Sequence, residues 1–199
     1  MKVTKTDIKK FYEAEGSRGD HQKNMYFNEE ANPNSLKRFE SVKKLLKKYV
    51  GNTRFLEVGC AEGIYCQHAV EYGAAMVVGT DISKNKVDRC IQNANNVIYM
   101  TADWDKMLFP DQSFDVVLAT ECIEHSLDPE KMMKELFRVS HAVMATIPLE
   151  KKLMDKPLKD KANGHLHLFT HKSFLELFKE KKIIDEFEDK YYSYIIATN

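Results

Sequence analysis

Residues 54–63 read Arg54-Phe55-Leu56-Glu57-Val58-Gly59-Cys60-Ala61-Glu62-Gly63, an apolar strand running into an acidic residue and a turn of very small residues. Phe55, Leu56 and Val58 have the character of a buried strand. Gly59, Ala61 and Gly63 let the backbone turn tightly and approach a ligand that a Cβ would push away. Eighteen residues past Gly63 stands Asp81, at the end of a second apolar run, Ala74 to Gly79. A carboxylate there can accept both hydroxyls of a ribose. Together these features are how an α/β domain opens a nucleotide-sized site. In the dinucleotide fingerprint G-x-G-x-x-G the last glycine would fall on Ile64, which disfavours a nicotinamide-dependent oxidoreductase.

Outward from this turn, apolar periodicity lays out a βα series. Leu36, Phe39, Val42, Leu45 and Leu46 recur at helical spacing with lysines opposite, so residues 35–49 are expected to deliver an amphipathic helix to the first strand. Helix 64–72, strand 75–80, helix 84–94 and strand 97–101 follow. The run FDVVLA at 114–119 is a continuous apolar strand of the kind buried in parallel sheets. Helix 129–139, strand 141–147 and helix 171–181 come next, Thr170 being placed to cap the last. The runs 183–188 and 191–198 are joined so closely that they must form an antiparallel hairpin. Residues 1–35 are polar and lack clear periodicity, with aromatic points at Phe11, Tyr12, Tyr26 and Phe27 and a turn signal at Asn32-Pro33-Asn34. They are expected to be an extension that packs over a domain spanning 36–199.

The 199 residues suit one domain with a sizeable core. Lys plus Arg equals Asp plus Glu at 30 each, so no net field argues for nucleic acid or an anionic membrane. Cys60, Cys66, Cys90 and Cys122 lack the paired spacing of a zinc ribbon or disulfide scaffold, which points to reduced thiols. The first sixteen residues contain no apolar signal core, and no run approaches bilayer-spanning length. The expectation is a soluble, cytoplasmic protein with no membrane partner; the oligomeric state is left open.

The spacing from Glu57 through Gly59 and Ala61 to Gly63 resembles motif I of the class I S-adenosylmethionine (SAM) dependent methyltransferases. The strand order extends the resemblance over roughly residues 36–199. It implies a Rossmann-like α/β fold: a seven-stranded, mostly parallel sheet, closed by an antiparallel C-terminal hairpin strand, with helices on both faces. It also implies SAM as cofactor and S-adenosylhomocysteine (SAH) as product. By resemblance Glu57 lies near the cofactor amino group, and Gly59, Cys60, Ala61 and Gly63 lie beneath its amino acid and sulfonium part. Asp81 matches the ribose carboxylate, and Ile82 the residue packed on adenine. Asp103 matches the acceptor for the adenine amino group, with Trp104 at the ring. Ala61 departs from the usual glycine, and its methyl narrows the approach. Taken singly, Asp81 could instead be a helix N-cap and Trp104 plain core.

Thr120, also assigned to the cofactor, opens the segment Thr120-Glu121-Cys122-Ile123-Glu124-His125-Ser126-Leu127-Asp128-Pro129. This resembles the E-x-x-E-H-x-x-D-P segment of families that include many small-molecule O-methyltransferases. Strand C-terminal ends face ligands in an open sheet, so the segment should face the transferred methyl. His125 is the candidate base for removing a hydroxyl proton, or else a histidine that fixes the turn. His165, the second catalytic candidate, lies in another cluster, Gly164 to Thr170, expected at the same sheet edge. Glu121, Glu124, His125 and His165 resemble the divalent metal set of small-RNA 2′-O-methyltransferases; metal-free relatives carry the same motif, so a metal is not favoured. The five lysines between Lys151 and Lys161 could meet an acidic acceptor or form a solvated face. The reading is methyl transfer to a small-molecule acceptor, at a hydroxyl oxygen. The alternatives are a non-catalytic SAM-binding module and a metal-assisted RNA 2′-O-methyltransferase, RNA ranking lower because a broad basic surface is lacking.

Overall fold

The computed structural model describes residues 3–16, 33–92, 95–149 and 165–199. Helix α1 spans Lys5–Gly16 and α2 spans Pro33–Tyr49. Then come β1 (Arg54–Val58), α3 (Ile64–Glu71), β2 (Met76–Asp81), α4 (Lys84–Gln92), β3 (Ile98–Thr101) and β4 (Phe114–Thr120). A single 3-10 turn at Ile123–His125 leads to α5 (Pro129–Val139), β5 (Ser140–Pro148), α6 (His171–Leu175), β6 (Lys182–Glu188) and β7 (Tyr192–Thr198). The seven strands form one sheet in the order β3-β2-β1-β4-β5-β7-β6. The first five are parallel, and β7 runs antiparallel to both β5 and β6.

Alternation along the central strands supplies two cores. Leu56, Val58, Val117 and Ala119 join Met132, Leu136 and Phe137 of α5 and Phe174 of α6 on one face. Phe55, Val116 and Leu118 join Phe39 and Leu46 of α2, Tyr65 of α3 and Val87 of α4 on the other. A strand covered on both faces must be apolar at most positions, which is why β1 and β4 are apolar apart from Glu57, Asp115 and their end residues Arg54 and Thr120.

Three expectations change. The polar N-terminal stretch contains helix α1, opened by a capping box in which Thr4 N donates to Asp7 Oδ2 (2.9 Å) and Asp7 N donates to Thr4 Oγ1 (3.3 Å). The turn signal at Asn32-Pro33-Asn34 is the start of α2, with Pro33 as its first residue, so the boundary expected at residue 35 falls inside a helix. The last helix is shorter than expected: after α6 the chain tightens into a 3-10 turn over Glu176–Phe178. Thr170 does cap α6, its side chain accepting from Ser173 N. The lysine-rich stretch 151–161 and Gly164 lie outside the described residues. Among the described residues no helix is long and apolar enough to cross a membrane, and all four cysteines are buried free thiols.

Candidate active site

The strand order reverses between β1 and β4, and the crevice outside the C-terminal ends of such strands is where an open sheet receives ligands. A cavity of about 120 Å³ lies there. Glu57, Gly59 and Ala61 line it from the turn after β1, Asp81 and Ile82 from the end of β2, and Trp104 from beyond β3. Thr120, Glu121, Cys122 and His125 line it from the end of β4. Cys60 and Gly63 do not: the Cys60 side chain is in the core. Asp103 faces a neighbouring groove of about 630 Å³ beneath α1, which shares Ile82 with the cavity.

The turn after β1 holds Gly59, Ala61 and Gly63 all in the left-handed region, with φ of 74°, 47° and 74°. For Ala61 this costs about 1 kcal/mol, offset by Ala61 N donating to Asp81 Oδ2 at 3.0 Å. A Cβ at Gly59 would overlap the Cys122 thiol, and one at Gly63 the Tyr99 hydroxyl. Close protein packing, as well as the positive φ, therefore demands glycine at both positions.

Asp81 also accepts from Ser83 N through Oδ1 (2.8 Å), so both its oxygens bind backbone. It does not cap α4. Ser83 does, its hydroxyl accepting from Lys86 N (3.3 Å), helped by Glu13 of α1, which accepts from Lys84 N (2.8 Å) and Asn85 N (3.2 Å). Burial pushes the Asp81 carboxyl up from its ordinary range, opposed by the Lys86 ammonium. Glu57, 1% exposed, accepts at Oε2 from the Cys66 amide (3.0 Å) and thiol (2.9 Å) at the start of α3. Burial pushes its carboxyl up to about 8.

On the other side Glu121 has a left-handed backbone (φ 53°) and pairs with Arg38 of α2 at 2.6 Å. The buried Arg38 guanidinium lies 5.0 Å from the Tyr192 ring centroid. Burial raises the Glu121 pKa, against the charges of Arg38 and His165. The rings of His125 and His165 are 4.8 Å apart, and Glu124 Oε1 is 3.8 Å from His125 Nε2. The chain after His165 hangs on the Glu124 carbonyl, which accepts from Leu166 N (2.8 Å) and His167 N (3.0 Å). Of the four candidate metal ligands, Glu124, His125 and His165 come together, with one ligand atom from each within 4.8 Å of the others. Glu121 is engaged by Arg38.

Five lining residues were not anticipated as part of the site: Tyr12 and Glu15 of α1, Arg38 of α2, Tyr65 of α3 and Lys86 of α4. Lys86 pairs with Glu15 at 2.6 Å and sits 5.1 Å from the Tyr12 ring centroid. Burial works against its charge, but Asp81 and Glu15 outweigh it and hold the Lys86 pKa up. For Tyr12 and Glu15 the signal was present as Thr4-x-x-Asp7, which announces α1. Arg38 and Lys86 look like any cation on an amphipathic helix, and only tertiary packing turns them inward.

Residues 56–142 match the family described as a methyltransferase domain. The sterol 24-C-methyltransferase of Aspergillus fumigatus is 34% identical over 92 residues, 43% of this chain and 24% of that protein. The ubiquinone biosynthesis O-methyltransferase of Coxiella burnetii is 32% identical over 107 residues, 52% of this chain and 43% of that one. The chain thus spans less than half the length of these curated relatives. Among solved structures, magnesium protoporphyrin IX methyltransferase from Synechocystis with bound SAH superposes with a TM-score of 0.76 at 16% identity, covering 98% of this chain and 100% of that one. The strand order, the small-residue turn after β1 and the family match agree: residues 56–142 are similar to a methyltransferase domain, and the chain has the fold of the class I SAM-dependent methyltransferases.

Proposed function

We propose that the protein transfers a methyl group from SAM to a small-molecule acceptor, at a hydroxyl oxygen. The observation that carries this reading is the cavity at the β1/β4 crevice, which brings the carboxyls of Glu57 and Asp81 and the imidazole of His125 to one space. The residues fit the cofactor. Asp81 and Glu57 offer acceptors for ribose hydroxyls and an ammonium, Ile82 and Trp104 offer apolar faces for a purine, and the buried Thr120 hydroxyl has no hydrogen-bond partner among the described residues. When bound, SAM supplies a methyl on a cationic sulfur, displaced in line by the attacking oxygen. Positioning supplies most of the acceleration. The His125 imidazole would take the hydroxyl proton, and the Glu124 carboxylate beside Nε2 would stabilise the imidazolium. Helix α1, closing over the cavity, would exclude water from the reacting centre.

Calorimetric titration with SAH tests the reading. Wild type should bind saturably. Asp81→Ala should lose binding, whereas His125→Ala should bind within about twofold and lose about 10²–10⁴-fold of turnover on a panel of hydroxylated acceptors. Lack of SAH binding by wild type would sink the cofactor assignment, and a fully active His125→Ala would sink the base. The proximity of Glu124, His125 and His165 favours a second reading, in which a divalent cation lowers the acceptor's pKa. Titrating Mg²⁺, Mn²⁺ and Zn²⁺ alone decides it: saturable binding abolished by His165→Ala supports the metal, and no heat from any of the three removes it.

A further inference from the structure

Two buried hydroxyls face the cavity with no hydrogen-bond partner among the described residues: Thr120 Oγ1 from the end of β4, and Tyr12 Oη from α1. Buried polar groups in native proteins are almost always satisfied, so an orphan pair on one cavity marks where a ligand supplies the missing partner. The Tyr12 ring is held from two sides, edge-on to His125 with centroids 5.5 Å apart and 5.1 Å from the Lys86 ammonium. Tyr12 lines the same cavity as Asp81 and His125, and the charges of Glu124, Glu15 and Asp81 act on its hydroxyl. Burial, and after it the charge of these carboxylates, keeps the phenol protonated, so it can serve as a donor.

We propose that the Tyr12 hydroxyl donates a hydrogen bond to a ribose or carboxylate oxygen of the bound cofactor, making α1 part of the binding site rather than a cover over it. This rests on the SAM reading above. Independent geometry supports it, because α1 is fastened to the same segments that would hold the nucleoside. Lys5 pairs with Asp103 and Asp105, both at 2.7 Å, Glu13 binds the start of α4 just after Asp81, and Glu15 pairs with Lys86. The cavity at the β1/β4 crevice holds about 120 Å³ and adjoins, through Ile82, the groove of about 630 Å³ that α1 overlies. Helix α1 borders both spaces, so a cofactor lying across them would meet it, and Tyr12 offers a buried donor there that has no partner among the described residues.

The test compares SAH binding by wild type, Tyr12→Phe and Thr120→Val, with trypsin cleavage at Lys9 and Lys10 followed with and without SAH. Tyr12→Phe keeps the ring on His125 and Lys86 and removes only the hydroxyl. It should weaken SAH about three- to tenfold, the loss of one neutral hydrogen bond, and reduce the protection of α1 that SAH gives wild type. Thr120→Val, altered on the opposite wall, should weaken SAH while leaving that protection in place at saturation. Tyr12→Phe binding SAH within twofold of wild type, or wild-type α1 cut equally fast with and without SAH, would overturn the proposal while leaving the cofactor reading intact. Wild type failing to bind SAH would overturn both.

Discussion

Glu57 couples the stability of the fold to pH. Its carboxyl, pushed up to about 8 from 4.5 by burial, holds a proton more tightly folded than unfolded. Its stabilising contribution is therefore complete below about pH 4.5 and lost as the pH climbs through 8. Asp81 and Glu121, also raised by burial, act in the same sense. The urea midpoint of the ligand-free protein should fall between pH 6 and 9, and Glu57→Gln should flatten that fall and exceed wild type at pH 9; an unchanged slope would show that Glu57 is already ionised. A cationic amino group docking beside Glu57 draws out the same proton. SAH binding at pH 7 should then release it, seen as a heat that depends on the buffer's ionisation enthalpy and disappears in Glu57→Gln.

At the scale of elements, α1 depends on charged anchors and one buried isoleucine, Ile8, more than on a broad apolar face. Glu13→Ala removes acceptors from Lys84 N, Asn85 N and Ser83 Oγ. Trypsin cleavage at Lys9 and Lys10 should quicken several-fold while far-UV dichroism changes little; cleavage at the wild-type rate would show that the other anchors suffice. The same sparseness explains what could be read in advance. Every strand and every sheet-covering helix was legible, because the central strands and the helices carry runs or periodicities imposed by the core and the more exposed β3 and β6 still carry short apolar runs. Helix α1 was not, because Ile8, Phe11 and Tyr12 are thinly spread among polar residues, and only its capping box speaks for it. The site divides the same way. Glu57, Asp81 and His125 were visible because strand ends place them, whereas Arg38 and Lys86 required knowing which face of α2 and α4 turns inward. The Arg38–Glu121 pair also splits the four-residue ligand set that the family resemblance had implied.

For the whole molecule, stability is concentrated where β1 and β4 are buried on both faces. Leu118→Ala, at 0% exposure in the middle of β4, should cost about 2–5 kcal/mol, read as a lower urea midpoint with little change in slope. A cost below 1 kcal/mol would mean that the second core collapses onto the vacancy. The order of the sheet adds a constraint on the making of the protein. Strand β7 lies between β5 and β6, so β6 has no neighbour in the sheet until the strand that follows it in sequence has inserted. Until then β5 presents an unpaired apolar border, and a chain caught in that interval offers a site for chaperones or for misassembly with its own kind.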